Sequence, residues 1–557
     1  MPIAACPSKK WGHKLMQVMK VNPQPLKSAR QTLLILTLLL CIAAVSHSAN
    51  MFHWPYFEND EGTYMSQAHA VMTTGRLAHY TYWYDHAPVG WIQIGFWGRM
   101  VEPFVGVQAA FSIESGRVFM LVLHLASTVL IYGIARKITR SEVPAILAVL
   151  IFTLSPVALT YQRRVLLDNL QIFWNLCAFY LILGEKRTLL QVAGSAVAFS
   201  LAFLSKETGI FFTPAMLVML LSNTTRHNRW FATALWLGIC FFLGISYPLY
   251  ALLNTELFPY GSALGGSEPH VSLLGTLQYQ FGRPGGFFLN PDSSFMITFR
   301  GLTAGQDWPA DPFLIMGGIT SMVVVSVLSI REARLRPIAL MTIAYALLYI
   351  RGGIVIDFYI IPIIPFFALC IAFAIHYLAR LVTWAARALP LPRLRPVLGY
   401  TAALATLIPF APIYTSSIVY TNDQTTAQQE AVAYIRANLP RDAFILIDNY
   451  AFLDFYGDFE NAHYYWKVDG DPAINSIIDG NWCNVDYVLS TPQVEFDAYQ
   501  QGLEIVRLAL DHSEIVAAFF GDGRHYEVRR VVSDGTAACG SSQQVASAAP
   551  HSPTERR

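Results

Sequence analysis

The residues best suited to chemistry open at Asn59-Asp60-Glu61-Gly62-Thr63-Tyr64, an acidic pair just past the first hydrophobic run. A carboxylate in that setting can take the proton from an attacking hydroxyl. Other charges share its position. Asp85, His86, Arg163, Arg164, Asp168, Lys206, Glu207, Arg351 and Asp357 all map to the ends of apolar spans on one predicted side of a membrane. Charges near membrane depth are costly and are usually paired or functional. Arg163, Arg164, Lys206 and Arg351 fall on the side where basic residues are normally sparse. A ring of acids and cations at one membrane face suits a reaction with an anionic leaving group.

Each feature also has a plain structural explanation. Asn59 and Asp60 can cap a helix, with Glu61 favoured by the helix dipole. Asp168-Asn169 can cap the next span. Lys206 can snorkel from a helix end to the interface. Asp85-His86-Ala87-Pro88 can be a turn, and Arg351 before Gly352-Gly353 an anchor at the membrane surface. The functional alternative gains weight because so many of these features share one side.

The elements that must position them are membrane helices. Of the 557 residues, 54% are hydrophobic and 13% charged, against about 25% charged in soluble chains. The apolar residues run in long stretches, as in a polytopic membrane protein. A net charge of +1 gives no electrostatic case for nucleic acid. Seven scattered cysteines form no C-x-x-C pair, which argues against a zinc or iron–sulfur site. Cys483 and Cys539 could pair if their region is extracytoplasmic.

Residues 1–30 read as a basic cytoplasmic terminus before a start-anchor helix. Spans are expected near 31–46, 116–136, 142–160, 169–184, 188–205, 208–222, 230–253, 311–330, 336–350, 354–378 and 397–416, about eleven in all. Alternate turns, such as Arg136–Arg140 and Arg331–Arg336, are rich in Lys and Arg and are expected on the cytoplasmic side. The expected fold is thus a polytopic α-helical membrane domain at 31–420, with outward loops at 49–112 and 254–310. The first loop carries two juxtamembrane helices, near 60–75 and 88–100. Residues 421–533 read as a small extracytoplasmic α/β domain, and 534–557 as a disordered tail.

The ordered motifs resemble the GT-C membrane glycosyltransferases, particularly the protein O-mannosyltransferases and the lipid A aminoarabinose transferases. Asp60-Glu61-Gly62-Thr63-Tyr64 resembles their Asp-Glu-x-x-Tyr, and Asp85-His86-Ala87-Pro88 their His-Pro-Pro or Glu-Lys-Pro-Pro element. Arg163-Arg164-Val165-Leu166-Leu167-Asp168 is similar to Arg-x-x-Leu-Leu-Asp, and Ser205-Lys206-Glu207-Thr208-Gly209 to Thr-Lys-Glu-x-Gly. Arg351 with Tyr359-Ile360-Ile361-Pro362-Ile363-Ile364-Pro365 is similar to the late Arg…Tyr-x-x-Pro-x-x-Pro. Together these motifs cover roughly residues 30–380. Ala87 departs from the pattern where the family has proline.

The resemblance implies an inverting transfer from a polyprenyl-phosphate sugar donor at the extracytoplasmic face of the inner (plasma) membrane. It implies Asp60 as the base, with Glu61 positioning it or the acceptor. Arg163, Lys206 and Arg351 would bind the donor phosphate, and Asp168, His86 and Tyr359 would support them. The acceptor would be a hydroxyl of a protein, a lipid or a polysaccharide. The aminoarabinose branch uses a divalent metal, for which Asp85 and His270 are the counterparts here; the mannosyltransferase branch does without. Two rivals stay open at this point. A transporter would place its site at the bilayer midplane and often shows internal repeats, and none is visible. A non-catalytic binder of lipid-linked glycans would keep the cations without needing Asp60.

Overall fold

The computed structural model describes residues 29–267, 270–305, 309–386, 394–415 and 417–532. The expected basic terminus, the expected tail and the Cys483–Cys539 pairing therefore lie outside the described residues. Most of the chain is helical. Among the described residues, six helices are long and apolar enough to cross a membrane: Ala29–Ser48, Ile113–Thr139, Arg229–Leu253, Pro312–Arg331, Ala333–Ile350 and Asp357–Ala385. Two shorter apolar helices, Glu142–Leu154 and Leu189–Ser205, pack among them. The count of eleven is not reached on these terms. The segment expected to span 397–416 breaks into Arg395–Ala405, Ile408–Phe410 and Ala411–Thr415. Pro409 and Pro412 account for the breaks, since proline removes a helix donor and clashes with the preceding turn. Asp357–Ala385 is the most deeply packed span, and its faces meet Pro312–Arg331 and Glu142–Leu154.

Four helices frame the first half: α1 (Ala29–Ser48), α2 (Asn59–Thr74), α3 (Val89–Val105) and α4 (Ile113–Thr139). α2 starts with a capping box in which the Glu58 side chain accepts from the N3 backbone and Glu61 accepts from the Glu58 N–H at 3.1 Å. It stops at Gly75, whose φ of 69° is a left-handed conformation that glycine adopts without strain. α3 lies against α2, and α4 begins behind Ser112, whose hydroxyl accepts from the Ser115 N–H.

The C-terminal part builds a five-stranded sheet in the order β2-β1-β3-β5-β4. Its strands are β1 (Ile445–Ile447), β2 (Ala462–Tyr464), β3 (Tyr487–Ser490), β4 (Ser513–Gly521) and β5 (Arg524–Val531). β1 runs parallel to β2 and β3, whereas β5 is antiparallel to β3 and β4. The sheet region is fastened to the first loop. Gln428 accepts from the Phe57 N–H at 2.7 Å and donates to the Phe57 carbonyl at 2.8 Å. Asn449 donates to the Thr63 hydroxyl at 2.7 Å, and Asn59 to the Tyr465 hydroxyl at 3.3 Å. The start of α2 is thereby held from two sides.

Candidate functional site

Asp60 sits in the first turn of α2, where the periodicity 60, 63, 64, 67 puts one face of the helix toward a polar cleft. Tyr64, one turn on, donates to Asp60 Oδ2 at 3.4 Å. Burial pushes the Asp60 carboxyl above the usual aspartate range, while the nearby charges of Lys206 and His86 pull it back down and that of Asp168 raises it. Asp60 is thus a carboxylate held among two cationic groups and a second acid.

Lys206 and Glu207 are consecutive, and each has its own partner. Lys206 follows the helix Leu189–Ser205 in an extended conformation, with φ −153° and ψ 128°. Its ammonium meets Asp168 Oδ2 at 2.6 Å, and both side chains are buried. Its Nζ also stands 4.7 Å from the Phe358 ring centre and 5.1 Å from that of Tyr359. Glu207 turns the other way. One oxygen lies 2.9 Å from His86 Nδ1, and the other accepts from the Ala87 N–H at 2.6 Å. The His86 pKa is lowered by burial and raised by Glu207, with a net upward shift. An imidazolium at position 86 is therefore favoured next to Asp60.

Tyr359 marks the cationic end of the cleft. Lys206, Arg283 and Arg351 all lie within electrostatic reach of it. The long loop brings Arg283 there through backbone pairing: the Gly285 N–H donates to the Gly352 carbonyl at 2.8 Å, and Pro284 bridges Gly353. The glycine-rich stretch 282–286 and the Arg351 turn are thus one unit. Gly285 is required by the close approach, since a Cβ there would stand 1.9 Å from the Gly353 oxygen.

Two expected roles need correction. Arg163 does not join this cluster. Its guanidinium donates to the carbonyls of Ser46 at 2.7 Å, Ala49 at 2.8 Å and Val419 at 3.4 Å, so it ties the end of α1 to the segment before the sheet. Its neighbour Arg164 instead points toward α2 and meets Glu58 Oε2 at 2.7 Å. Glu61 is the second case. It is fully buried, with a paired contact to Arg117 at 3.0 and 2.7 Å and a bond from the Val165 N–H at 2.9 Å. Every oxygen is taken, so Glu61 fixes α2 and does not reach an acceptor.

The metal pair does not fit either. Asp85 and His270 line different cavities, and His270 Nε2 lies 3.0 Å from the Phe258 carbonyl. Among the described residues no three His, Cys, Asp or Glu side chains gather to hold a metal ion. Sequence reasoning missed Arg283, which stands in a long loop with no motif around it. It also missed Tyr464, a C-terminal residue within electrostatic reach of Asp60.

Residues 106–250 match the family described as dolichyl-phosphate-mannose-protein mannosyltransferase. No curated protein gives a significant sequence match. Among solved structures, ArnT from Cupriavidus metallidurans bound to undecaprenyl phosphate aligns with a TM-score of 0.55 at 15% identity, over 91% of this chain and 99% of that one. The Archaeoglobus fulgidus oligosaccharyltransferase in its apo form aligns with a TM-score of 0.53 at 13% identity, over 86% of this chain and 72% of that one. The same archaeal enzyme, AglB, in complex with an inhibitory peptide and a dolichol-phosphate gives 0.53 at 12% identity, over the same shares. The shared fold and the partial match agree: this chain has the fold of ArnT and of the archaeal oligosaccharyltransferase, and over residues 106–250 it is similar to the protein mannosyltransferases.

Proposed function

We propose that the protein transfers a sugar from a polyprenyl-phosphate donor to an acceptor hydroxyl at the extracytoplasmic face of the membrane. The observation that carries this reading is the placing of Asp60 beside the Lys206–Asp168 pair, next to Tyr359 where Arg283 and Arg351 converge. A base thus adjoins a site for a phosphate anion. That the structural neighbours ArnT and AglB were solved with undecaprenyl phosphate and dolichol-phosphate supports the same donor class.

The acceptor O–H is deprotonated by Asp60 as its oxygen attacks the anomeric carbon. The bond from that carbon to the phosphate oxygen breaks, and the departing phosphate gains negative charge. Lys206, Arg283 and Arg351 stabilise that charge; fixed donors of this kind are worth about 3–4 kcal/mol each where they have been removed. A single displacement inverts the anomeric centre. Asp168 keeps Lys206 in place, and Glu207 orients His86. Glu61 and Arg117 lock α2, so Asp60 needs no reorganisation.

The test is transfer by purified protein in lipid nanodiscs, supplied with a panel of undecaprenyl-phosphate-linked hexoses and pentoses. Sugar release in the wild type and its loss in Asp60→Asn, with an unchanged melting profile, is the expected result. Full activity in Asp60→Asn would remove Asp60 from the reaction.

A further inference from the structure

A second group of residues surrounds Asp60 and plays no part in holding a phosphate. Thr63 and Gln67 follow Asp60 along the same face of α2, one and two turns on. Asp85 and Tyr464 both lie within electrostatic reach of the Asp60 carboxylate. These four line one cavity together with Trp83 and Lys467, at the seam between the first loop and the sheet region. Its internal volume is about 40 Å³, room for about three water-sized groups.

Two polar atoms in this wall have no protein partner. The Gln67 Oε1 acceptor and the Trp83 Nε1 donor are buried and unbonded. Buried polar groups are nearly always satisfied, by protein, water or ligand. One wall therefore offers an unused acceptor and an unused donor, with the Asp85 carboxylate exposed beside them. The Lys467 ammonium closes the seam by donating to the Thr81 carbonyl and lying 4.2 Å from the Tyr80 ring centre.

We propose that this seam pocket is the acceptor subsite and that it takes a carbohydrate. The inference rests on the glycosyl-transfer reading above. Adjacent hydroxyls on a sugar ring donate and accept at short spacing, which matches Gln67 Oε1, Trp83 Nε1 and Asp85 within one small cavity. Room for about three water-sized groups takes two or three hydroxyls on one edge of a sugar ring, with the rest of the acceptor lying outside the pocket. In the step itself the acceptor O–H bond breaks and its proton passes to Asp60. The oxygen then bonds the anomeric carbon, and polyprenyl phosphate leaves with the electron pair of the broken bond.

The test uses the full-length protein in nanodiscs, the panel of lipid donors, and two acceptor sets: short oligosaccharides and a Ser/Thr-containing peptide. Oligosaccharides are expected to accept the sugar. Gln67→Leu and Trp83→Phe are expected to raise the oligosaccharide half-saturation about tenfold and to change the donor half-saturation less, while Gln67→Glu, which keeps an acceptor oxygen, retains more of the affinity. Transfer to the peptide in place of the oligosaccharide overturns the assignment, as do wild-type acceptor constants in both variants. Calorimetric titration of the wild type with oligosaccharide, in the absence of donor, decides the matter where a variant fails to fold: heat of binding supports the subsite and its absence overturns it. If the wild type releases sugar from no lipid donor, the glycosyl-transfer reading itself fails and the subsite goes with it.

Discussion

Gly62 and Asn449 meet so closely that a Cβ at position 62 would stand 2.1 Å from the Asn449 carbonyl oxygen. Gly62 lies in the first turns of α2, two residues past Asp60, and Asn449 follows β1. The sheet region therefore rests directly on the helix that carries the proposed base, and only glycine permits the contact. Gly62→Ala must push the two apart. Overpacking of this kind costs about 1–3 kcal/mol, and a displacement of about 1 Å at a reacting group can cost about 10²-fold in rate. The expected outcome is a strong loss of transfer with a modest fall in melting temperature. Thermal melting and a transfer assay on the same preparation check it; a Gly62→Ala protein with wild-type rate would show that the docking has slack.

Lys206 and Asp168 make the sharpest stability test. Both are buried and their atoms are 2.6 Å apart. Removing one partner of such a pair typically costs about 3–5 kcal/mol, because the other charge is left unpaired. Lys206→Met should therefore lose both stability and transfer. Adding Asp168→Asn removes the orphaned charge, so the double variant should recover part of the stability and none of the activity. Activity that returned along with stability would mean that Lys206 serves the fold alone.

The fold was legible wherever one local signal sufficed, and the limits are instructive. The capping residues around Glu58 and Glu61 and the stop at Gly75 bound α2, observed at Asn59–Thr74 against an expected 60–75. Within the expected α/β domain the stretch 492–511 is two helices, Pro492–Gln500 and Glu504–Asp511, divided at Gly502 with φ 74°. β2 has three residues, too short for an alternating pattern to register. The candidate site was partly legible. Asp60, Lys206 and Asp168 stood out as charges out of place. Arg163 and Arg164 looked alike in sequence because neighbouring side chains leave a loop in different directions, and only the packing of α1 and α2 decides which goes where. Arg283 was invisible because its position comes from the backbone pairing of 284–285 with 352–353, a contact far apart in the chain.

The two arginines first assigned to the donor should now separate. Arg163 is buried against three carbonyls, and charge-assisted hydrogen bonds are worth roughly 1.5–3 kcal/mol each. Arg163→Ala should lower the melting temperature, and its rate loss should follow the fraction unfolded. Arg351 is exposed, with its guanidinium 6.0 Å from the Phe211 ring centre. Arg351→Ala should melt normally and raise the donor KM about tenfold, a change of roughly 1.4 kcal/mol. Donor KM measured at saturating acceptor distinguishes the two, and an unchanged value in Arg351→Ala would withdraw it from the donor site.

Asp60 gives the pH dependence its sign. The base must be ionised to accept a proton, so transfer rises as pH climbs through the Asp60 pKa. Burial has moved that pKa upward from the ordinary aspartate value, so the acid limb of kcat/KM should lie above the pH of about 4 at which an exposed aspartate titrates. Lys206 pulls the value down, and Lys206→Met should therefore shift the limb further toward neutral pH in whatever activity remains. Stability runs the opposite way. A carboxyl whose pKa is raised by folding binds its proton more tightly in the native state, so its ionisation costs stability as pH rises from the unfolded value through the folded one. Asp60→Asn removes that cost. The variant should be inactive yet at least as stable as the wild type near neutral pH, with the difference shrinking as the buffer is made acid. Paired melting curves across pH measure this. An Asp60→Asn protein less stable than wild type at neutral pH would mean that Asp60 is held as an ordinary helix-start charge, favoured by the dipole of α2 and not kept there at a cost for catalysis.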